Sequence, residues 1–410
     1  MEKQKNNPAL RFSEFTEGWI SKKLGELLEF KNGINATKEQ YGSGYKFINV
    51  LDILNNDFIT YDKIIGSVNV DEETVNKFQV NYGDILFQRS SETREEVGTA
   101  SVYLDKDNIA TFGGFVIRGK KIGVYAPVFL NRLLKTDSAR DQITSKSGGS
   151  TRYNVGQEIL SSVNLFFPNL DEQQKIATFF TAIDKKLSGL KEKKNLLEQY
   201  KKGVMQQLFS QALRFKNKKG EDFEDWELKK LGEVTYKTDK KNKENIPYPV
   251  YSINNKEGFL PQSDQFDGMD SHDRGYDVSL YKIIQANTFA YNPARIDVGS
   301  IGYSGDLDNI IISSLYVCFK TKSKLNDNFL MIYLKSDAFN KYVLSKTEGG
   351  VRKYLFYENF SDIVIPLPSV EEQTVIANFL NALDEKLQAV NMQIEKMERW
   401  KKGLLQQMFV

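Results

Sequence analysis

The chain has 410 residues, 40% hydrophobic and 12% aromatic, room for two or three domains with full cores. One cysteine (Cys318) and one histidine (His272) exclude disulfides within the chain and a zinc cluster built on thiolates or imidazoles. Net charge is only +2, no apolar run approaches the roughly 18 residues of a membrane span, and MEKQKNNPAL is no signal peptide, so a cytoplasmic location is expected.

The charge is unevenly spread. Trp19–Pro168 and Trp226–Pro368 each hold 18 basic and 18 acidic residues, whereas Asn169–Lys218 holds 11 against 5. Any DNA affinity must therefore come from local clusters and partner subunits. A protein that never meets DNA fits the charge equally well.

In chain order, Ala9-Leu10-Arg11-Phe12 comes first, followed by Trp19-Ile20-Ser21-Lys22-Lys23-Leu24-Gly25-Glu26. Short apolar stretches between turn residues, Tyr45–Val50, Asp84–Phe87 and Gly114–Ile117, read as strands. Ala126–Leu134 and the segment after it read as helices. Behind Asp84–Phe87 lies the polar run Gln88-Arg89-Ser90-Ser91, with Thr93 and Arg94, whose side chains can bond base edges or phosphates but are also ordinary loop residues. Lys146 precedes Gly148-Gly149-Ser150-Thr151-Arg152-Tyr153. Two glycines permit a tight turn, and a basic residue followed by tyrosine offers a phosphate or base contact and a stacking ring. A hairpin with solvated cations is the alternative.

Pro168–Phe209 then aligns without a gap to Pro368–Phe409, at an offset of 200, with 17 of 42 positions identical. Asn169 with Glu172, and Ser369 with Glu372, are helix-start pairs. Apolar residues follow at alternating steps of four and three: Ile176, Phe180, Ile183, Leu187, Leu190, Leu197, Val204 and Leu208, with Lys194 and Lys201 in phase. The second copy runs Ile376, Leu380, Leu383, Leu387, Val390, Ile394, Met397, Leu404 and Met408. Both are coiled-coil seams, each predicting a helix of roughly 55–60 Å. They can pair with each other or each pack on its own domain; the shared phase favours mutual pairing, with the two lysines at its rim or in a polar break.

Ala212-Leu213-Arg214-Phe215 follows the first helix, and the charged connector Lys216–Asp225 leads to a second opening, Trp226-Glu227-Leu228-Lys229-Lys230-Leu231-Gly232-Glu233. The N-terminal ALRF therefore reads as the displaced continuation of the second helix. Circular closure with approximate two-fold symmetry follows, with antiparallel helices and a variable domain at each end. In the second domain Tyr281–Ile284, Ile310–Phe319 and Ile363–Pro366 read as strands, and Asp327–Lys335 with its sequel as helices. Candidate DNA contacts are Ser252, Asn254, Asn255 and Lys256, then Tyr291, Asn292 and Arg295. Lys346 and Gly349-Gly350-Val351-Arg352-Lys353-Tyr354 match the first Gly-Gly element.

Catalytic signatures are missing. Gly114–Lys120 matches the start of a P-loop, but Lys121 stands where Ser or Thr should bind magnesium. Asn292-Pro293-Ala294-Arg295 keeps two of the four positions of an Asn-Pro-Pro-Tyr tetrad, and no Gly-rich methyl-donor loop precedes it. No metal site is expected.

With its two Pro-x-x-x-Glu-Gln helices (Pro168–Gln173, Pro368–Gln373) and two Trp-x-x-x-x-Leu-Gly-Glu openings, the chain resembles the specificity subunit of type I restriction–modification systems, HsdS. Gly83-Asp84-Ile85-Leu86, Tyr291-Asn292-Pro293 and Val298-Gly299-Ser300-Ile301-Gly302 add to the likeness. The resemblance implies an α+β fold of two target-recognition domains, 1–168 and 216–368, separated by antiparallel helices, 169–215 and 369–410. Each domain would read half of a split DNA site, and the helices would set the spacing and dock two modification subunits. It also implies no catalysis or cofactor in this chain: S-adenosylmethionine belongs to the modification subunits, and ATP and Mg to the restriction subunits.

Overall fold

A computed structural model describes residues 7–149, 152–255, 257–346 and 354–410. The chain forms two compact units, one of residues 1–191 with 392–410, the other of residues 192–391. Each takes one variable segment, part of the first long helix (Leu170–Phe209) and part of the second (Val370–Gln407).

In the first unit a four-stranded antiparallel sheet runs in the order Leu28–Asn32, Val116–Lys121, Ile85–Gln88, Ala100–Val102. A smaller sheet pairs Tyr41–Ile48 with Ser67–Val68 and, in parallel, with Thr111–Phe112. Ile20–Lys23 pairs antiparallel with Asn164–Phe167, so the chain leaves this domain beside the point where it entered. The helices Pro127–Leu133 and Asp137–Ser145 complete the layer, the second capped by the Thr136 side chain.

The second unit repeats this plan despite its different sequence. Its sheets run Thr235–Thr238, Val317–Thr321, Phe289–Tyr291, Ile301–Tyr303 and Gly258–Pro261, Val250–Asn254, Ile310–Ile312, Lys282–Ile284. Glu227–Lys230 and Val364–Leu367 close its neck. The helices Asp327–Tyr333 and Asp337–Lys346 match those of the first unit.

Three strand expectations need correction. Tyr45–Val50 lies in a longer strand, Tyr41–Ile48, that stops where Asn49 begins a short helix, Val50–Leu54. Gly114–Ile117 straddles a turn, the strand starting only at Val116. Ile310–Phe319 is two strands, Ile310–Ile312 and Val317–Thr321, in different sheets. An apolar run buried on both faces carries no period that would reveal the break.

The helices pair antiparallel within each unit. In the first, Lys191 meets Glu398 at 2.7 Å while Asp184 meets Lys401 at 2.6 Å. In the second, Lys201 pairs with Asp384. Seam residues Ile176, Phe180, Ile183, Leu187, Val204 and Leu208 are buried, as are Ile376, Leu380, Leu383, Val390, Ile394, Leu404 and Met408. Leu190, Leu197, Leu387 and Met397 are half-buried, and so are Lys194 and Lys201. Each apolar side chain fully withdrawn from water contributes about 1.5–3 kcal/mol.

The seam ends also enter the domain cores, so pairing and docking coexist. Phe409 lies 6.3 Å from Trp19, 5.4 Å from Phe129 and 5.9 Å from Phe180. Its counterpart Phe209 lies 6.0 Å from Phe329 and 5.2 Å from Tyr333.

The displaced ALRF segment sits where circular closure requires. The Leu10 N–H donates to the Gln407 carbonyl at 2.8 Å, as Leu213 N–H does to Gln207 at 3.1 Å. Phe12 packs edge-on against Phe179 at 5.7 Å, and Phe215 packs tilted against Phe379 at 5.3 Å.

Candidate nucleic-acid interface

Two polar segments far apart in sequence come together in the first unit. Ser90–Ser91 pairs antiparallel with Tyr153–Asn154, and the Val155 N–H donates to the Arg89 carbonyl at 3.0 Å. The Ser90 hydroxyl donates to Asn154 Oδ1. Gly148 and Asn154 exchange backbone bonds at 3.1 and 2.8 Å, so the two ends of the Gly-Gly element lie side by side. Gly149 sits at φ +124°, and a Cβ there would lie 1.9 Å from the Arg152 carbonyl oxygen. Only glycine fits at position 149.

Thr93, Arg94, Lys146 and Arg152 are exposed around this junction, while Arg89, Ser90 and Tyr153 are half-buried. Arg94 Nε donates to the Thr144 carbonyl at 3.1 Å, and Lys146 Nζ to Ser162 at 3.2 Å. Ser91 is buried, its hydroxyl donating to Glu96 at 3.0 Å, so its expected exposure as a contact is corrected. Arg140 was missed by sequence reading. Its guanidinium braces the loop by donating to the Glu95 and Val97 carbonyls at 2.8 and 2.6 Å, and burial lowers its pKa. Contacts to backbone carbonyls have no sequence signature.

The second unit makes the same junction. The Leu355 N–H donates to the Pro293 carbonyl at 3.0 Å, bringing Tyr354 to the segment after the strand Phe289–Tyr291. Tyr354 is half-buried and stacks on Phe356 at 5.7 Å. Asn255 and Arg295 are exposed, and Asn254 and Asn292 half-buried. Asn292 uses its Oδ1 to accept from the Ala294 N–H at 3.0 Å.

Two candidates here are also corrected. Tyr291 lies in the core, 5.4 Å from Phe360 and 6.2 Å from Phe319, and burial drives its phenol pKa well above the ordinary value. It occupies a middle strand covered on both faces. Ser252 is buried in the strand Val250–Asn254. Thr151, Lys256, Arg352, Lys353 and the Lys346 side chain lie outside the described residues.

Each neck carries a fully buried carboxylate held by an arginine. Glu172, with no exposed surface, takes both bonds of an Arg11 fork and a 3.4 Å bond from Trp19 Nε1. Glu372 repeats this with Arg214 and with Trp226 Nε1 at 2.9 Å. Gln173 accepts from the Ala126 N–H at 3.0 Å and Gln373 from Asn326 at 2.7 Å. The Glu-Gln pair is thus what bolts each long helix to its domain. Among the described residues, no group of three or more His, Cys, Asp or Glu side chains could hold a metal ion, and no helix is long and apolar enough to cross a membrane.

Paired helices and a polar, loop-built junction in each of two like-folded units define a recognition protein. The family described as type I restriction modification DNA specificity domain matches residues 16–199 and again 221–399. The chain belongs to that family, and is a DNA-recognition subunit of a type I restriction–modification system.

The putative type I restriction enzyme MjaX specificity subunit of Methanocaldococcus jannaschii is 25% identical, covering 98% of this chain and 95% of its own. The EcoKI specificity subunit of Escherichia coli is 21% identical over 92% and 84%. Among solved structures, the S subunit from M. genitalium superposes with a TM-score of 0.59 at 16% identity, covering 98% of this chain and 99% of its own. HsdS from Thermoanaerobacter tengcongensis gives 0.52 at 17%, covering 96% and 97%. Those two likenesses speak to the fold.

Proposed function

We propose that the chain reads a bipartite, asymmetric DNA site, residues 1–168 and 216–368 each reading one half. The observation that carries this reading is the matched junction. Divergent sequences bring the loop after an inner strand against the end of a Gly-Gly element, through equivalent backbone bonds to Arg89 and Pro293. One scaffold with two sets of tip residues is what two different half-sites require.

In the first reader the exposed Arg94, Lys146 and Arg152 hold phosphates, and Arg89, Ser90, Thr93 and Tyr153 reach bases or sugar. In the second, Asn254, Asn255, Asn292, Arg295 and Tyr354 take these roles. Neutral readers suffice because partner subunits add phosphate contacts.

The helices, 169–215 and 369–410, set the distance between half-sites and dock two modification subunits. Two grooves at matching positions support that stoichiometry. One lies in the first unit between Lys135–Ser138 and Lys402–Val410, the other in the second between Lys335–Ala338 and Lys202–Ser210. The chain itself is non-catalytic. S-adenosylmethionine is held by the modification subunits, and ATP with Mg by the restriction subunits.

The test is methyl transfer from labelled S-adenosylmethionine to DNA. The purified chain should transfer nothing, and adding its modification subunits should methylate adenine at one specific site. Turnover by the chain alone contradicts the proposal.

A further inference from the structure

Each unit presents an apolar side chain at the tip of the same turn. In the first, Thr111–Phe112 passes through Gly113-Gly114-Phe115 into Val116–Lys121, with Val116 N–H bonded to the Gly113 carbonyl at 2.8 Å. In the second, Ile310–Ile312 passes through Ser313-Ser314-Leu315-Tyr316 into Val317–Thr321, with Tyr316 N–H bonded to Ser313 at 3.2 Å. Phe115 is 66% exposed and Leu315, 200 positions later, is 76% exposed. The turn residues before them differ, Gly-Gly against Ser-Ser, but a large apolar tip recurs.

Single exposed apolar residues are common and need no cause. These two are held in place. The Gly113 N–H is tied to Ile48 at 3.0 Å, and a Cβ on Gly114 would lie 2.0 Å from Asn35 Oδ1, so the first turn sits hard on its support. In the second, Tyr316 Oη accepts from the Ile253 N–H at 3.2 Å and the Tyr316 carbonyl accepts from Lys282 Nζ at 2.8 Å.

Both tips are continuous with the proposed reading surfaces. Arg89 N–H donates to the Phe115 carbonyl at 2.9 Å, and its guanidinium to the Gly114 carbonyl at 3.3 Å. Ile253, whose N–H bonds Tyr316 of the second turn, is followed directly by Asn254 of the second reading surface. A rigid apolar tip bonded to a base-reading arginine suits packing against base carbon, either a thymine methyl or the face of a base at an opened step.

We infer that Phe115 and Leu315 are specificity-determining tips that pack against bases, one in each half-site. This rests on the junctions facing DNA, so the experiment separates the two ideas. Assembled complexes with modification subunits are titrated with a duplex bearing the methylated target and with a scrambled duplex. Three variants are compared with the parent: Phe115→Ala, Phe115→Leu, and the double change Arg94→Ala with Arg152→Ala.

Phe115→Ala should weaken target binding on the order of tenfold and leave scrambled binding alone, while Phe115→Leu keeps most of the affinity. Leu315→Ala should do the same through the other half-site. Uracil for thymine in the half-site should reproduce the loss if the contact is a methyl group. A 2-aminopurine signal that appears on binding and vanishes in Phe115→Ala marks an opened step.

If Phe115→Ala binds both duplexes as the parent does while the double arginine variant weakens, the tip is overturned and the surface stands. If neither variant changes binding, both ideas fall. An equal loss on both duplexes, loss of modification subunits from Phe115→Ala, or neither base-analogue signature also overturns the tip.

Discussion

Arg11 donates through Nε and Nη2 to the two carboxylate oxygens of Glu172, each at 2.7 Å, across 161 positions of sequence. Arg214 makes the same fork to Glu372 at 3.2 and 2.9 Å, so the N-terminal ALRF occupies the place after the second helix that its twin occupies after the first. Glu172 is fully buried, and removing its partner leaves an uncompensated charge. Arg11→Ala should therefore destabilise the first unit by roughly 3 kcal/mol in denaturant unfolding. Glu172→Gln, which keeps some hydrogen bonds, should cost less. A loss below about 1 kcal/mol for Arg11→Ala means the ion pair does not hold the neck, which then rests on the Gln173 bonds, the strand pairing and apolar packing.

Circular closure can be tested by relocating the chain ends. In the second unit Ser210-Gln211-Ala212 joins helix to ALRF, with Gln211 at φ +60°. A single glycine between Val410 and Ala9 reproduces that connection, whereas Pro8 cannot adopt a positive φ. A permutant joined this way and opened at Gly220, an exposed turn in the connector, should melt within a few degrees of the parent and bind the same target. Failure to fold as a soluble chain contradicts closure.

A charge cluster ties the first unit's helices to its domain. Arg132, almost fully buried, reaches Asp184 and lies 3.5 Å from the half-exposed Asp57; Lys135 and Lys401 approach Asp57 at 3.2 and 3.7 Å. Partial burial pushes the Asp57 carboxyl up, but Lys135, Arg132 and Lys401 outweigh it and hold it at about 2, against an ordinary 3.8. Because the folded value is the lower one, the stabilisation is present above the unfolded value near 3.8 and is lost as pH falls through about 2. Asp57→Asn should lower the melting temperature most above about pH 5, with the gap to the parent closing toward about pH 2 and shrinking in salt. A gap that widens on acidification reverses the assignment.

Much of this fold is legible in the sequence. The a/d periodicity survives from Ile176 to Leu208 because a long helix buries one stripe, and that stripe has a period. ALRF was readable because it is written twice. The break inside Ile310–Phe319 was hidden, since both strands are buried on both faces and the turn between them carries the apolar Leu315. Side-chain chemistry points to candidate contacts but does not report which way a residue faces. Tyr291 and Arg295 look alike as polar residues of one segment, yet the first is core and the second exposed. The register of Ser90–Ser91 against Tyr153–Asn154 joins residues more than 60 positions apart, and no local pattern encodes it.

The central claim is that two independent readers share one frame. It is tested most directly by replacing residues 19–168 with the corresponding domain of another specificity subunit and mapping methylated adenines in cells that carry the modification subunits. One half of the methylated site should change, while the other half and the spacing stay as they were. A change in both halves, or in neither, contradicts the account.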